Sequence, residues 1–238
     1  MERSVFMGFL LPFLLCAFFL LVCYFLCNFF LALYTFSVIR ALWRLPALNH
    51  SNTAALLSVY FGAKSLFRGR WFPKRSPNGT VYREIPFILV MGRKIFVLEI
   101  CPYPGTIANT EEADWHIDPP KDYQRKKEVR VPNPVLLAKE RAEMLQDLFG
   151  VLKMPFEVTI ESMAILTDKR HKLVNSPCEG LYSLPEAVTY LSQFSANTKP
   201  MKKKMKKESE VILAILNHFS LSRARAISRN DRMRRKMR

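Results

Sequence analysis

REIPFILVM (residues 83–91), Gly92-Arg93 and KIFVLEIC (residues 94–101) form the stretch on which the fold of this 238-residue chain turns. Both runs are short and rich in Ile, Val and Phe, and a two-residue link containing glycine joins them. That pattern predicts an antiparallel hairpin. Pro102, Pro104 and Gly105 stop the second strand. Downstream, residues 111–130 are polar and loop-like, with a short strand expected at Trp115–Ile117. Asn133-Pro134 reads as a helix start, with Asn as the cap and Pro preset for the first turn. Leu136, Leu137, Met144, Leu145 and Leu148 recur at helical spacing until Gly150. Phe156–Leu166 returns to strand composition, followed by a turn at Asp168-Lys169 and a short strand at Lys172–Val174. Ser183-Leu184-Pro185-Glu186 has the Ser-x-x-Glu capping-box pattern and opens a helix through Phe194. Residues 46–196 therefore predict one α/β domain, a mixed sheet flanked by helices, long enough for a single core.

Upstream of the domain the chemistry changes. From Val5 to Ile39 no residue is charged, and nine of the chain's 18 Phe lie there. A spanning helix needs about 20 apolar residues to cross roughly 30 Å of hydrocarbon. This run would extend roughly 52 Å as a helix. It has no Gly or Pro after Pro12 to make a mid-membrane turn, and Asn28 alone is a poor turn signal. One span over residues 13–36 is expected, within an anchor of residues 1–45. The run is too long for the apolar region of a cleavable signal peptide, and Arg40-Ala41-Leu42-Trp43-Arg44 does not resemble a cleavage site. Arg40, Arg44, Lys64, Arg68, Arg70, Lys74 and Arg75 follow the span, whereas only Arg3 precedes it. The positive-inside rule then places the main domain in the cytosol. The sequons at Asn49 and Asn78 would carry glycans only in the opposite orientation. Cys16, Cys23 and Cys27 sit in the span. Cys101 and Cys178 alone make no disulfide framework or zinc spacing.

Charge divides the chain again. Residues 1–45 carry +2, residues 46–196 carry +3 and residues 197–238 carry +11 of the formal +16. The middle is therefore not a uniformly basic nucleic-acid-binding domain. The C-terminal segment reads as a basic tail, with a short amphipathic helix over Val211, Ile212, Leu213, Ile215, Leu216, Phe219 and Leu221. Its polar ends are expected to be disordered alone. Lys202, Lys203, Lys204, Lys206 and Lys207 before that helix, and Arg223, Arg225, Arg229, Arg232, Arg234 and Arg235 after it, are candidates for binding anionic lipid or nucleic-acid phosphate. A merely solvated tail is the bland alternative. The chain has no internal repeat, glycine-rich phosphate loop, GxSxG motif or metal-binding His pair on one helix face.

Gly92-Arg93-Lys94-Ile95-Phe96-Val97-Leu98-Glu99-Ile100-Cys101, then Gly105-Thr106-Ile107, Trp115 and Asn133-Pro134, form an ordered set. It resembles the nuclease-related domain (NERD), a branch of the PD-(D/E)XK nuclease-like fold. The resemblance spans residues 52–194 and is sharpest over residues 84–150. It implies a restriction-endonuclease-like core in which two carboxylates hold Mg²⁺ and a lysine two residues after the second activates water. Glu99 stands at the family's Glu position. The Lys position is Cys101, the Asp position is Pro86, and the Gln of Asn-Pro-x-x-Gln falls on Leu137. The resemblance therefore implies a degenerate active site that needs no cofactor, in a binding or scaffold module whose protein partners the sequence does not name.

The alternative is a tethered nuclease in which Glu84, two residues from Pro86 and on the same strand face, joins Glu99 to hold Mg²⁺. Against that stand simpler readings: Glu84 as a solvated strand-edge charge, Glu99 as a structural acid satisfied by backbone or an Arg, and Cys101 as a buried thiol. Arg93 and Lys94 lie at the turn, away from Cys101. Glu111, Glu112, Asp114, His116 and Asp118 could bind a cation or simply form a solvated run, and Trp115 is expected to anchor the core.

Overall fold

The structure is a computed structural model that describes residues 2–77, 79–110, 113–120, 128–195 and 203–236. The chain divides into two compact units, Met1–Leu45 and Pro46–Arg238. The first is one continuous helix, α1 (Glu2–Arg44), with no break at Asn28. Its segment Cys16–Arg44 includes an 18-residue window of mean hydropathy 2.4 and is long and apolar enough to cross a membrane. The polar side chains within it bond to their own helix: Asn28 Nδ2 donates to the Tyr24 carbonyl, Thr35 Oγ1 to Ala32 and Ser37 Oγ to Leu33. Such back-bonding gives each of these three donors a partner inside the helix.

The second unit is built on the predicted hairpin. Strands β1 (Leu66–Ser76), β2 (Gly79–Met91) and β3 (Lys94–Cys101) are antiparallel neighbours. Gly92 occupies the turn with φ of 64°, a conformation a side chain would strain. Strands β4 (Gly105–Ala108), β5 (Trp115–Asp118) and β6 (Val129–Val131) follow, then helix α3 (Pro134–Val151). Strands β7 (Thr159–Leu166), β8 (His171–Leu173) and β9 (Leu181–Ser183) lead into helix α4 (Leu184–Ser192). Helix α2 (His50–Phe61) precedes the first strand.

The strands make two mixed sheets where the sequence suggested one. The larger has the order β1-β2-β3-β7-β9, and the smaller β6-β5-β4-β8. Pro102 and Pro104 end β3, as expected, and the chain re-enters a second sheet at Gly105. A Cβ there would clash with the Asp118 carbonyl oxygen, so the close approach of β4 to the end of its partner β5 requires glycine at φ of 92°.

Alternation along β3 sorts the layers. Ile95 and Val97 pack with Ala142, Leu145 and Phe149 of α3. Phe96, pointing the other way, meets the rings of Tyr190 and Phe194 from the α4 side. Further along, Cys101 joins Ile107, Trp115 and Ile117 under the small sheet. Trp115 is the expected anchor, fully buried, its Nε1 donating to the Thr110 carbonyl at 3.0 Å.

The C-terminal segment departs most from expectation. Instead of a tail with one short helix and loose ends, its described residues form α5 (Lys203–Phe219) and α6 (Arg223–Lys236), both packed on the domain. Ile212 and Leu216 of α5 are fully buried with Ile88, Val97 and Leu145. Arg93 grips the buried Glu208 carboxylate with two hydrogen bonds of 2.7 and 2.8 Å. Trp71 exchanges backbone hydrogen bonds with Leu221 at 3.1 and 2.8 Å. Asn230 of α6 does the same work with its side chain, accepting from Tyr82 N at 2.8 Å and donating to Tyr82 O at 3.0 Å. Arginine content forecasts disorder only for an isolated segment. Here buried Ile212, Leu216 and Ala226 supply the apolar area that charge counting misses.

Candidate active site

The hairpin register brings the diagnostic positions together. Phe87 pairs with Leu98, so Pro86 is the next residue on β2 and Glu99 the next on β3. Helix α3 crosses this face because Asn133 starts it there. The Asn133 side chain accepts from Val135 N and Leu136 N and donates to the Thr110 carbonyl, tying the helix start to the loop before β5. Leu137 and Arg141, four residues apart, consequently share one helix face.

Arg141 is the residue that sequence reading did not single out. Its Nη1 forms an ion pair with Glu99 Oε2, and its Nε donates to the Glu84 backbone carbonyl at 3.0 Å. The pair is largely enclosed: the Arg141 side chain is 21% exposed and that of Glu99 13%. Among the described residues the two contacting atoms have no other hydrogen-bond partner. Burial pulls the Arg141 pKa down and the negative charge of Glu84 pulls it back up, yet a guanidinium stays charged at neutral pH. The reading of Glu99 as an acid satisfied by an arginine thus acquires a named partner. Glu84 is exposed, as a strand-edge charge should be, but it shares Arg141 with Glu99.

Arg141 and Glu84 border a cleft of about 530 Å³, whereas Glu99 does not line it. Trp71 comes from β1, Tyr82 and Glu84 from β2, Leu137, Glu140 and Arg141 from α3, and Ile227, Asn230 and Asp231 from α6. The C-terminal helix therefore forms one wall of the cleft. Cys101 is not in it. The thiol is fully buried beneath the small sheet, and burial pushes its pKa up to about 12. Arg93 and Lys94 are also elsewhere, paired with Glu208 and Glu161.

The donor set does not fit Mg²⁺. That ion demands several oxygen ligands in near-octahedral geometry. Pro86 offers no side-chain donor, Leu137 is apolar, Cys101 is a protonated thiol, and the Glu99 carboxylate is already engaged by a cation. The acidic cluster assembles no ligand set either. Asp114 pairs with Arg130 at 3.1 Å and His116 with Glu128 at 2.6 Å, across β5 and β6. Glu111 and Glu112 lie outside the described residues, among which no group of three or more potential metal ligands occurs.

Residues 54–167 match the family model described as the nuclease-related domain. The chain carries a nuclease-related domain. The match begins within α2 and ends just past β7, so it contains the hairpin, the small sheet but for β8, and α3. No curated protein and no solved structure matches the chain. Of the basic candidates, Lys206, Lys207, Arg223, Arg225, Arg229, Arg232 and Arg235 are exposed on α5 and α6. Lys202 lies outside the described residues, as do the side chains of Lys203, Lys204 and Arg234.

Proposed function

We propose that this is a single-pass membrane protein whose nuclease-related domain faces the cytosol and acts as a binding or scaffold module in place of a nuclease. One observation carries the reading: the Arg141 guanidinium holds Glu99, the single carboxylate left at a diagnostic position. A fixed positive charge at the carboxylate opposes binding of a divalent cation by Coulomb repulsion, and it takes up the oxygen a metal would need. Pro86, Cys101 and Leu137 supply neither a second carboxylate nor a lysine nor a polar partner. The apolar α1, with basic residues following it, supports the anchor and its orientation.

The test is nuclease activity of the full chain in neutral detergent, on DNA and RNA, with Mg²⁺ and with Mn²⁺, beside Glu99→Ala. The expected result is no cleavage by either protein above the detergent blank. Metal-dependent cleavage that disappears in Glu99→Ala would overturn the proposal and restore the enzyme built on Glu99 and Glu84. Orientation has a separate readout. Glycan-free Asn49 and Asn78 in cells with an active secretory pathway are expected, and a glycan on either places the domain in the lumen.

A further inference from the structure

Helix α6 has two faces that divide by residue number. Ala226, Asn230 and Met233, at spacings of four and three, turn inward: Ala226 is fully buried, Asn230 bonds the Tyr82 backbone, and Met233 lies against Gly79. At 3.6 residues per turn, Arg225, Arg232 and Arg235 then fall within about a quarter of the circumference on the outward side, and Arg229 flanks them beside the packed face. All four are exposed, and Arg229 is further braced over the Tyr82 ring, its Nη1 donating to Tyr82 Oη at 2.7 Å. The helix's one acid, Asp231, lines the cleft one turn from Arg235, and the four arginines outnumber it. The row spans roughly 15 Å along the axis.

We infer that this arginine stripe is a docking surface for anionic lipid headgroups. Its inward face is already committed to the domain, so α6 cannot insert as an interfacial amphipathic helix and acts by charge alone. The helix contains no aromatic residue on which bases could stack, the usual companion of a cationic groove for single strands. The chain also carries a helix long enough to cross a bilayer, which keeps headgroups at high effective concentration. Each arginine near an anionic surface is expected to strengthen association about five-fold, and three together about a hundred-fold.

The experiment follows backbone hydrogen exchange of α6 in the full chain, held in nanodiscs of phosphatidylcholine alone or of phosphatidylcholine with phosphatidylserine. Added phosphatidylserine vesicles cover the case in which the stripe faces away from its own bilayer. Exchange in α6 is expected to slow about ten-fold or more with phosphatidylserine in either arrangement, and to recover in Arg225→Gln/Arg232→Gln/Arg235→Gln and in high salt. The triple variant must keep wild-type exchange in β3 and α3, which shows that it folds. No slowing with phosphatidylserine in discs or vesicles overturns the inference. So does slowing produced only by added RNA or DNA oligonucleotides, which would make the stripe a nucleic-acid surface.

Discussion

Replacing Arg141 by methionine keeps the length of the side chain and removes its charge, leaving Glu99 enclosed without a cation. Breaking one partner out of a fully buried ion pair costs about 3–5 kcal/mol, whereas an exposed pair is worth at most about 1 kcal/mol. With side chains 21% and 13% exposed, the Glu99–Arg141 pair lies nearer the buried limit. Arg141→Met should then cost about 2 kcal/mol, and Glu99→Gln a similar amount by stranding the guanidinium. For a domain of this size that corresponds to a fall in Tm of about 4–8 °C. The double variant should recover part of the loss, with a coupling of about 1–2 kcal/mol. The assay is thermal unfolding of the extramembrane unit in the full chain, in neutral detergent, for all four members of the cycle. Additive single effects would refute the pairing. A Tm that rises with millimolar Mg²⁺ in the wild type, and fails to rise in Glu99→Gln, would show that the carboxylate is reserved for a metal and not for Arg141.

Other consequences are separable. Gly105→Ala forces a methyl group onto the Asp118 carbonyl at a left-handed φ, so a loss of about 3 kcal/mol is expected by denaturant titration. Asn133→Ala removes the α3 cap and the tie to Thr110, and should cost about 1–2 kcal/mol in the same assay. Asp168 supplies a pH dependence: burial alone would raise its pKa, but hydrogen bonds and charge from Arg170 outweigh that and hold it below 3.8. A depressed carboxylate pKa contributes stability above the unfolded-state value that is lost as pH falls through the folded-state value. Acid unfolding below about pH 4 should therefore be shallower in Asp168→Asn. Cys101, with its pKa near 12, should resist maleimide at pH 7.5 until the domain unfolds, which mass spectrometry of labelled peptides reads directly.

The elements that were legible are those whose own residues decide them. The hairpin of β2 and β3 announces itself by two runs rich in Ile, Val and Phe joined at Gly92-Arg93, and α3 and α4 by their caps at Asn133 and Ser183. Helix α4 carries the reciprocal capping box in full. Strand β1 was hidden because Gly69, Pro73 and four basic residues break its pattern, although it pairs with β2 along nearly its whole length. Pro86, Cys101 and Leu137 could be set against the motif positions from sequence alone, but the Arg141–Glu99 ion pair could not. Arg141 becomes meaningful only once α3 is laid across β3, and the clue was its place one turn beyond Leu137. Helix α6 was misjudged because its composition is that of a disordered segment, and only Ala226, Asn230 and Met233 show that it has a place to pack.

Synthesis order gives the return of α5 a further meaning. The residues matching the family leave the ribosome before α5, yet their slab is open on the side that Ile212 and Leu216 close. Those two side chains lie on α5, which is translated after the matched residues, and a chain folds as its segments become available. The domain therefore waits for α5. By then α1 has long since been exposed to the targeting machinery, so the apolar helix can be engaged before the domain is finished. A truncation anywhere before α5 would release an unsealed slab, with Ile88, Val90 and Val97 facing water, and proteolysis would be its expected fate.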